Sequence, residues 1–483
     1  MVAAVLCVPP FCQAETASKH HTKSLTLDTI NPHIRAMEYA VRGPVVQRAD
    51  KLATEEGRSI TYTNIGNPQA VGQTPLTWPR QVLALCDLPP AVGMDHPNVA
   101  TLFPVDAVAR AREILASTQS TGAYSHSQGI RALREDVAAF IQERDGVACD
   151  VDDLFLTNGA SAAIQMVLSA LSSHEKCGVM VPIPQYPIYT ATIRVLNGQT
   201  VGYYLDEDKD WELNVEELER AYQEAVEAGI DVRAMVLINP GNPTGQVLSE
   251  ANVQSVVRFC VEHNIVLLAD EVYQENVYMS NRKFYSCKRA AYDLDMEPEL
   301  VSFHSTSKGV FGECGRRGGY MELVGIDKDV KDQLYKLASS SLCSSVAGQI
   351  MTALMCRGPS PGDASYESHN REKQAIYDSL RRKSTQVVDG LNKIPGISSR
   401  PAAGAMYCFV KVDGIEDDTD YCVSLLEHTG ICVVPASGFG QKEGRHGFRM
   451  TFLPDNVASC VKAIEDHHIL YMARLKRIQN EAS

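Results

Sequence analysis

The chain has 483 residues, 45% hydrophobic and 22% charged, with a formal net charge of −14. That length exceeds one compact core and suggests about two or three domains. The composition is that of an ordinary globular protein, and the acidity argues against a nucleic-acid binder, whose contact face would be basic. The fourteen cysteines are scattered, with Cys7 and Cys12 the closest pair, and neither a C-x-x-C nor a zinc-spaced Cys/His set occurs. Reduced core thiols, an intracellular setting and no metal site are therefore expected. No apolar run reaches the roughly 18 residues of a membrane span.

The opening stretch, "MVAAVLCVPPFCQAETASKHHTKS", has no basic residue before Lys19 and carries Glu15. It is a poor secretory leader and a poor Arg-rich presequence, so residues 1–26 are expected to be a disordered extension. From residue 153 onward, short β-rich runs alternate with helix-length amphipathic segments. "DLFLTN" (153–158) leads into "GASAAIQMVLSALSS", and "GVMVPI" (178–183) into a helix-like segment up to Asn197. "TVGYYL" (200–205) precedes "NVEELERAYQEAVEAG", and "RAMVLINP" (233–240) precedes "SEANVQSVVRFCVEHN". "IVLLAD" (265–270) and "LVSFHS" (300–305) complete the series. Such alternation with near-continuous apolar strands predicts an α/β fold: a mostly parallel sheet covered by helices, with ligands beyond the carboxyl ends of the strands. After "RGPSPGDASYES" (357–368) come a long charged helix (371–394), the strands "AMYCFVKV", "ICVVPAS" and "FRMTFL", and a last helix from about Asn456. This reads as a smaller α+β domain.

Four polar clusters follow expected strand ends. "TNGAS" (157–161) is a glycine turn into a helix start, where free backbone N–H groups and the Ser161 hydroxyl suit either a phosphate or a plain N-cap. "NPGNPTG" (239–245) is a rigid turn that either aims Asn242 into a pocket or serves structure alone. In "LLADEVYQ" (267–274), Asp270 ends an apolar strand, and a buried carboxylate there needs a cation, from a ligand or from a salt bridge. Tyr273 lies three residues on. The fourth cluster is "SFHSTSKGVFGECGRRGGY" (302–320), in which Lys308 stands between Ser305, Ser307 and the pair Arg316, Arg317. Neighbouring positive charge and partial burial favour a neutral, nucleophilic amine that can form a Schiff base. The spacing G-x-x-x-x-G-K-[ST] of a nucleotide P-loop is absent. A Schiff-base lysine, an acid for a ring nitrogen, a phosphate seat and a phenol together describe a site for pyridoxal phosphate.

With "NIGNPQ", "GAYSHSQG", "PIPQYPIY", "NPGNPTGQVL", "LADEVYQENVY", "SKGVFGECGRRGGY" and "SGFGQ" in this order, the chain resembles the fold-type I, class I aminotransferases. More narrowly it resembles the eukaryotic alanine and glutamate–glyoxylate aminotransferases. The resemblance implies a seven-stranded sheet in a large cofactor-binding domain (91–356) and a small C-terminal domain (357–483), with residues 27–90 contributing to the small domain and a substrate loop. It implies Lys308 as Schiff-base lysine and proton carrier, Asp270 on the pyridine nitrogen, and Asn242 and Tyr273 on the ring hydroxyl. Ala160, Ser161, Ser305 and Arg317 would hold the phosphate, Arg317 being preferred to Arg316 because G-x-R-x-G aligns with residues 315–319. Tyr186 would stack on the ring, and Tyr124 would reach the phosphate of a neighbouring subunit in a homodimer. Arg449 would grip the substrate α-carboxylate beside Gly66, Asn67 and Asn242. The reaction implied is amino transfer from L-alanine to 2-oxoglutarate, with glutamate–glyoxylate transamination, an elimination on the same scaffold and a silent binding protein as the rivals. The cytoplasm is the expected compartment, with the mitochondrion left open. The last residues, "NEAS", are unlike a peroxisomal tripeptide.

Overall fold

The computed structural model describes residues 23–118 and 120–482. Most of the expected N-terminal extension, residues 1–22, lies outside the described residues. Seven strands form the main sheet: β1 (Leu154–Thr157), β2 (Cys177–Ile183), β3 (Gln199–Tyr204), β4 (Asp231–Ile238), β5 (Val266–Asp270), β6 (Leu300–Ser305) and β7 (Gly319–Val324). Their spatial order is β1-β7-β6-β5-β4-β2-β3. Only β7 runs antiparallel to its neighbours β1 and β6. The expected α/β fold with a mostly parallel seven-stranded sheet is the one observed. Six strands lie within two residues of their expected positions. The seventh, β7, carries the buried Glu322 among apolar residues, which masked it as a strand.

Alternation along the central strands builds two cores. Ala234, Val236 and Ile238 of β4 face one, together with Leu268 and Phe303. Met235 and Leu237 face the other, together with Leu267 and the helix residues Val253, Val256 and Phe259. A strand covered on both faces must be apolar at every position, which is why these runs read as continuous. The covering helices start at side-chain caps: Asn214 accepts from the Glu216 N–H before Val215–Glu227, and Ser249 accepts from the Asn252 N–H before Glu250–Glu262.

The second sheet has four strands, β8 (Ile397–Ser399), β9 (Tyr407–Val412), β10 (Val434–Pro435) and β11 (Gly447–Thr451), in the order β10-β11-β9-β8. "ICVVPAS" is not one strand. Ile431–Cys432 pairs in parallel with Thr61–Tyr62, whereas Val434–Pro435 pairs with β11. The N-terminal segment is thus stitched to the C-terminal sheet, and Thr451 donates its N–H to the Thr63 carbonyl at 2.9 Å. The long helix begins at Tyr366, five residues before its expected start, and ends at Leu391. No helix among the described residues is long and apolar enough to cross a membrane.

Candidate active site

Strand register gathers the polar clusters at one edge. Ile238, Asp270 and Phe303 stand level on β4, β5 and β6, and Thr157, Gly319 and Ser305 stand level on β1, β7 and β6. Because β7 runs the other way, its start, preceded by Arg317, meets the ends of its neighbours. The edge opens into a cavity of about 320 Å³ lined by Lys308, Asp270, Tyr273, Asn242, Tyr186 and Arg449 among others. Ala160, Ser161, Ser305, Arg317, Gly66 and Asn67 line it too. Tyr124 does not: it is 78% exposed on the loop before residue 131, away from this chain's own cavity.

At the phosphate-sized end, the helix Ala160–Leu171 begins after Gly159, whose φ of 75° suits glycine. A Cβ on Gly159 would come within 2.7 Å of the Arg317 guanidinium. The bare backbone therefore lets the arginine lie against the helix start. Arg317 donates to the Asn158 carbonyl at 3.1 Å, the Cys314 carbonyl at 3.0 Å and the Ser307 hydroxyl at 3.3 Å. These neutral acceptors leave its charge uncancelled beside a helix dipole that also favours an anion. Arg316 instead faces Glu313 at 3.9 Å and does not line the cavity.

In the middle, Asp270 is 4% exposed. Its Oδ2 accepts from the Tyr189 hydroxyl at 2.9 Å and its Oδ1 from the Val272 N–H at 3.4 Å. Burial raises its pKa to about 6 in spite of those bonds. A carboxylate so placed favours a cation in the cavity. Its neighbour Glu271 turns to the other side of the chain, accepts from the Cys287 N–H at 2.9 Å and lies 3.7 Å from Arg144. Burial raises Glu271 to about 7.

These raised acids make a prediction. The folded chain holds the Asp270 proton to a higher pH than the unfolded chain, whose aspartate titrates near 4. The resulting stability is fully present below about pH 4 and is lost as pH rises through about 6. Buried His304 and His467, lowered by burial to about 3 and about 4, push the opposite way. A comparison with Asp270→Asn therefore isolates the effect. In the cofactor-free protein, the melting temperature of wild type minus variant should fall between pH 4 and pH 7; a flat difference refutes the assignment.

At the far end, Lys308 is half-buried and donates from Nζ to the Gly66 carbonyl at 2.8 Å. Arg449, on β11, is only 1% exposed. Its Nη1 donates to Asn242 Oδ1 at 2.9 Å, its Nη2 bonds the Asn64 carbonyl, and its Nε has no partner. The guanidinium lies 4.1 Å from the Tyr407 ring centroid and 4.6 Å from that of Phe439. Neither cation has an acid partner among the described residues. A buried charge in this condition is costly unless an anion joins it.

Three lining residues had no local motif to reveal them, Tyr39, Arg42 and Tyr407, and Tyr189, which ends the motif "PIPQYPIY", was not singled out. Tyr39 bonds the Tyr186 hydroxyl at 2.7 Å from a segment about 150 residues away in sequence. Arg42, exposed at the cavity rim, has no ion-pair partner among the described residues. Taken together, the donors around Arg317, the buried acid and the Lys308 amine, all lining one cavity, fit the phosphate, ring nitrogen and aldehyde of pyridoxal phosphate.

The family model for aminotransferase class I and II matches residues 96–464. A probable mitochondrial alanine aminotransferase of Dictyostelium discoideum is 46% identical, over 94% of this chain and 91% of its own length. Glutamate–glyoxylate aminotransferase 1 of Arabidopsis thaliana is also 46% identical, over 89% of this chain and 93% of its own. The solved alanine aminotransferase of Pyrococcus furiosus has the same fold, with a TM-score of 0.75 at 23% identity over 92% of this chain and 99% of its own. With the cavity arranged as above, the chain belongs to the class I and II aminotransferases and is a transaminase that works with pyridoxal phosphate.

Proposed function

We propose that the enzyme is an alanine aminotransferase, moving an amino group reversibly from L-alanine to 2-oxoglutarate to give pyruvate and L-glutamate. The observation that carries the reading is that Lys308 and Arg449, neither with a carboxylate partner among the described residues, are tied to carbonyls two residues apart on one loop, those of Gly66 and Asn64. One loop thus holds the lysine that would serve Cα beside the arginine that would hold the carboxylate on that carbon.

Bound pyridoxal phosphate supplies an aldehyde for the amino group and a ring that spreads the electron pair left at Cα. Ala160, Ser161, Ser305 and Arg317 hold its phosphate, Tyr186 covers the ring, and Asn242 and Tyr273 hold the ring oxygen. Asp270 keeps the proton on the ring nitrogen. Lys308 would hold the aldehyde end of the cofactor, and its Nζ would take the substrate Cα proton as general base and return it as general acid. Arg449 holds the α-carboxylate by a charge-assisted contact, flanked by Gly66, Asn67 and Asn242. Tyr124, exposed and away from its own cavity, reaches the phosphate of a second copy in a homodimer. The name of the Dictyostelium relative favours the mitochondrion over the cytoplasm.

The five-carbon acceptor has a second carboxylate, and Arg42, unpaired at the cavity rim, is the cation placed to meet it. Arg42→Gln should raise KM for 2-oxoglutarate and L-glutamate about tenfold while leaving the L-alanine half-reaction unchanged. Equal effects on both halves would refute that role. The relative named for glutamate and glyoxylate supports a second reading. A rate panel pairing L-alanine or L-glutamate with 2-oxoglutarate, pyruvate or glyoxylate, with S-adenosylmethionine alone as the elimination substrate, separates them. The alanine reading requires alanine with 2-oxoglutarate to be the fastest pair.

A further inference from the structure

Tyr407 opens strand β9, is buried, and meets both cations of the site without belonging to any motif at the sheet edge. Its oxygen accepts from the Gly66 N–H at 3.1 Å and from the Tyr273 hydroxyl at 3.4 Å. Among the described residues its own proton has no acceptor. The Gly66 peptide therefore bridges two groups, its N–H to Tyr407 and its carbonyl to Lys308. A Cβ on Gly66 would come within 2.4 Å of the Tyr407 oxygen and 3.3 Å of Lys308 Nζ, which places both against the same backbone atom. Arg449 lies over the face of the Tyr407 ring. An oxygen that accepts twice, finds no acceptor among the described residues, adjoins Lys308 across the Gly66 peptide and has Arg449 over its ring is arranged as an anion.

We propose that Tyr407 is the resident counter-anion of the substrate site: it stands as phenolate while no carboxylate is bound, and takes up one solvent proton when the substrate carboxylate reaches Arg449. The step balances, since one negative charge enters with the substrate and one is neutralised by that proton. This rests on the reading of Arg449 as the carboxylate anchor. The groups facing Tyr407 are Lys308, Arg449, Tyr273 and Tyr186. Burial, the largest single influence, pushes its phenol up, but Lys308, Arg449 and the hydrogen bonds from Tyr273 and Gly66 together bring it below the ordinary tyrosine value. Burial and the Tyr407 neighbour push Tyr273 well up, so the proton of the pair stays on Tyr273. Tyr407 is a positioning residue, acting through Gly66 and Arg449.

The test is an ultraviolet titration of tyrosinate in the full-length enzyme, with and without pyridoxal phosphate, for wild type and Tyr407→Phe. The phenylalanine keeps the ring under Arg449. Wild type should ionise one tyrosine before the ordinary range near pH 10, and Tyr407→Phe should lack that step. Superimposable curves below that range overturn the proposal. Should the phenylalanine variant not fold, Lys308→Ala and Arg449→Met each remove one cation and should move the step upward; a step unmoved by both overturns it as well. A kinetic signature follows. In wild type, KM for L-alanine should rise with pH through the step while kcat is little changed, because phenolate competes with carboxylate for Arg449, and Tyr407→Phe should abolish the rise. The titration needs no substrate, so its failure is distinct from a failure of the alanine reading, which would appear in the rate panel.

Discussion

Lys308→Ala should lose turnover by at least about a thousandfold and lose the visible absorbance of lysine-bound pyridoxal phosphate. On the proposed reading Lys308 has two tasks, holding the cofactor and carrying the Cα proton, and alanine can do neither. General acid–base transfer alone is worth about a hundredfold to ten-thousandfold. Cofactor binding should survive in weakened form, because the phosphate seat proposed at Ala160, Ser161, Ser305 and Arg317 does not involve Lys308 Nζ. Added methylamine offers a way to separate the tasks, since an external amine restores proton transfer but not the tether. Full turnover in the alanine variant, or absorbance unchanged from wild type, would refute the assignment.

Arg449→Met should lower kcat/KM for L-alanine by roughly 2 to 5 kcal/mol, that is roughly thirtyfold to several thousandfold. The same change should not lower the melting temperature of the cofactor-free protein. The two halves of this prediction follow from one observation, a guanidinium 1% exposed with an unpartnered Nε and no acid opposite it. Such a group, faced by the rings of Tyr407 and Phe439, adds little to the stability of the fold and has its use when a substrate carboxylate arrives. An arginine kept for structure would behave oppositely, with stability falling and kinetics following it. Steady-state kinetics and thermal melts on the same preparation decide between the two.

The sheet was legible because β2, β4, β5 and β6 are covered on both faces, so their apolar runs are long and rich in valine, isoleucine and leucine. β7 was not, because its Glu322 is neutralised inside the protein by Lys288 at 2.5 Å, a partner distant in sequence. The split of "ICVVPAS" was hidden for a related reason: two adjacent dipeptides pair with different sheets, and local pattern carries no record of the partner. The cofactor end of the site stood out because most of its groups lie at strand ends or within four residues beyond them, where chain direction alone gathers them. Tyr407 and Arg42 stood out in no motif, and Tyr189 ends the motif "PIPQYPIY" without a sign of its partner. Tyr189 reaches Asp270 from a helix about 80 residues earlier, and Tyr407 meets Gly66 from a strand more than 300 residues later. The loop that carries Gly66 is held near Tyr407 by the stitching of residues 61–62 to 431–432, a contact that only the folded chain makes.

The central claim is that one site takes the amino group from alanine and holds it until an acceptor comes. Mixing the cofactor-loaded enzyme with excess L-alanine, with no 2-oxo acid present, tests it most directly. One pyruvate per active site should be released in a single burst, the cofactor absorbance should shift with it, and later addition of 2-oxoglutarate should restore the spectrum and yield one L-glutamate. Pyruvate formed only when both substrates are present together, or no pyruvate from alanine at all, would contradict the account.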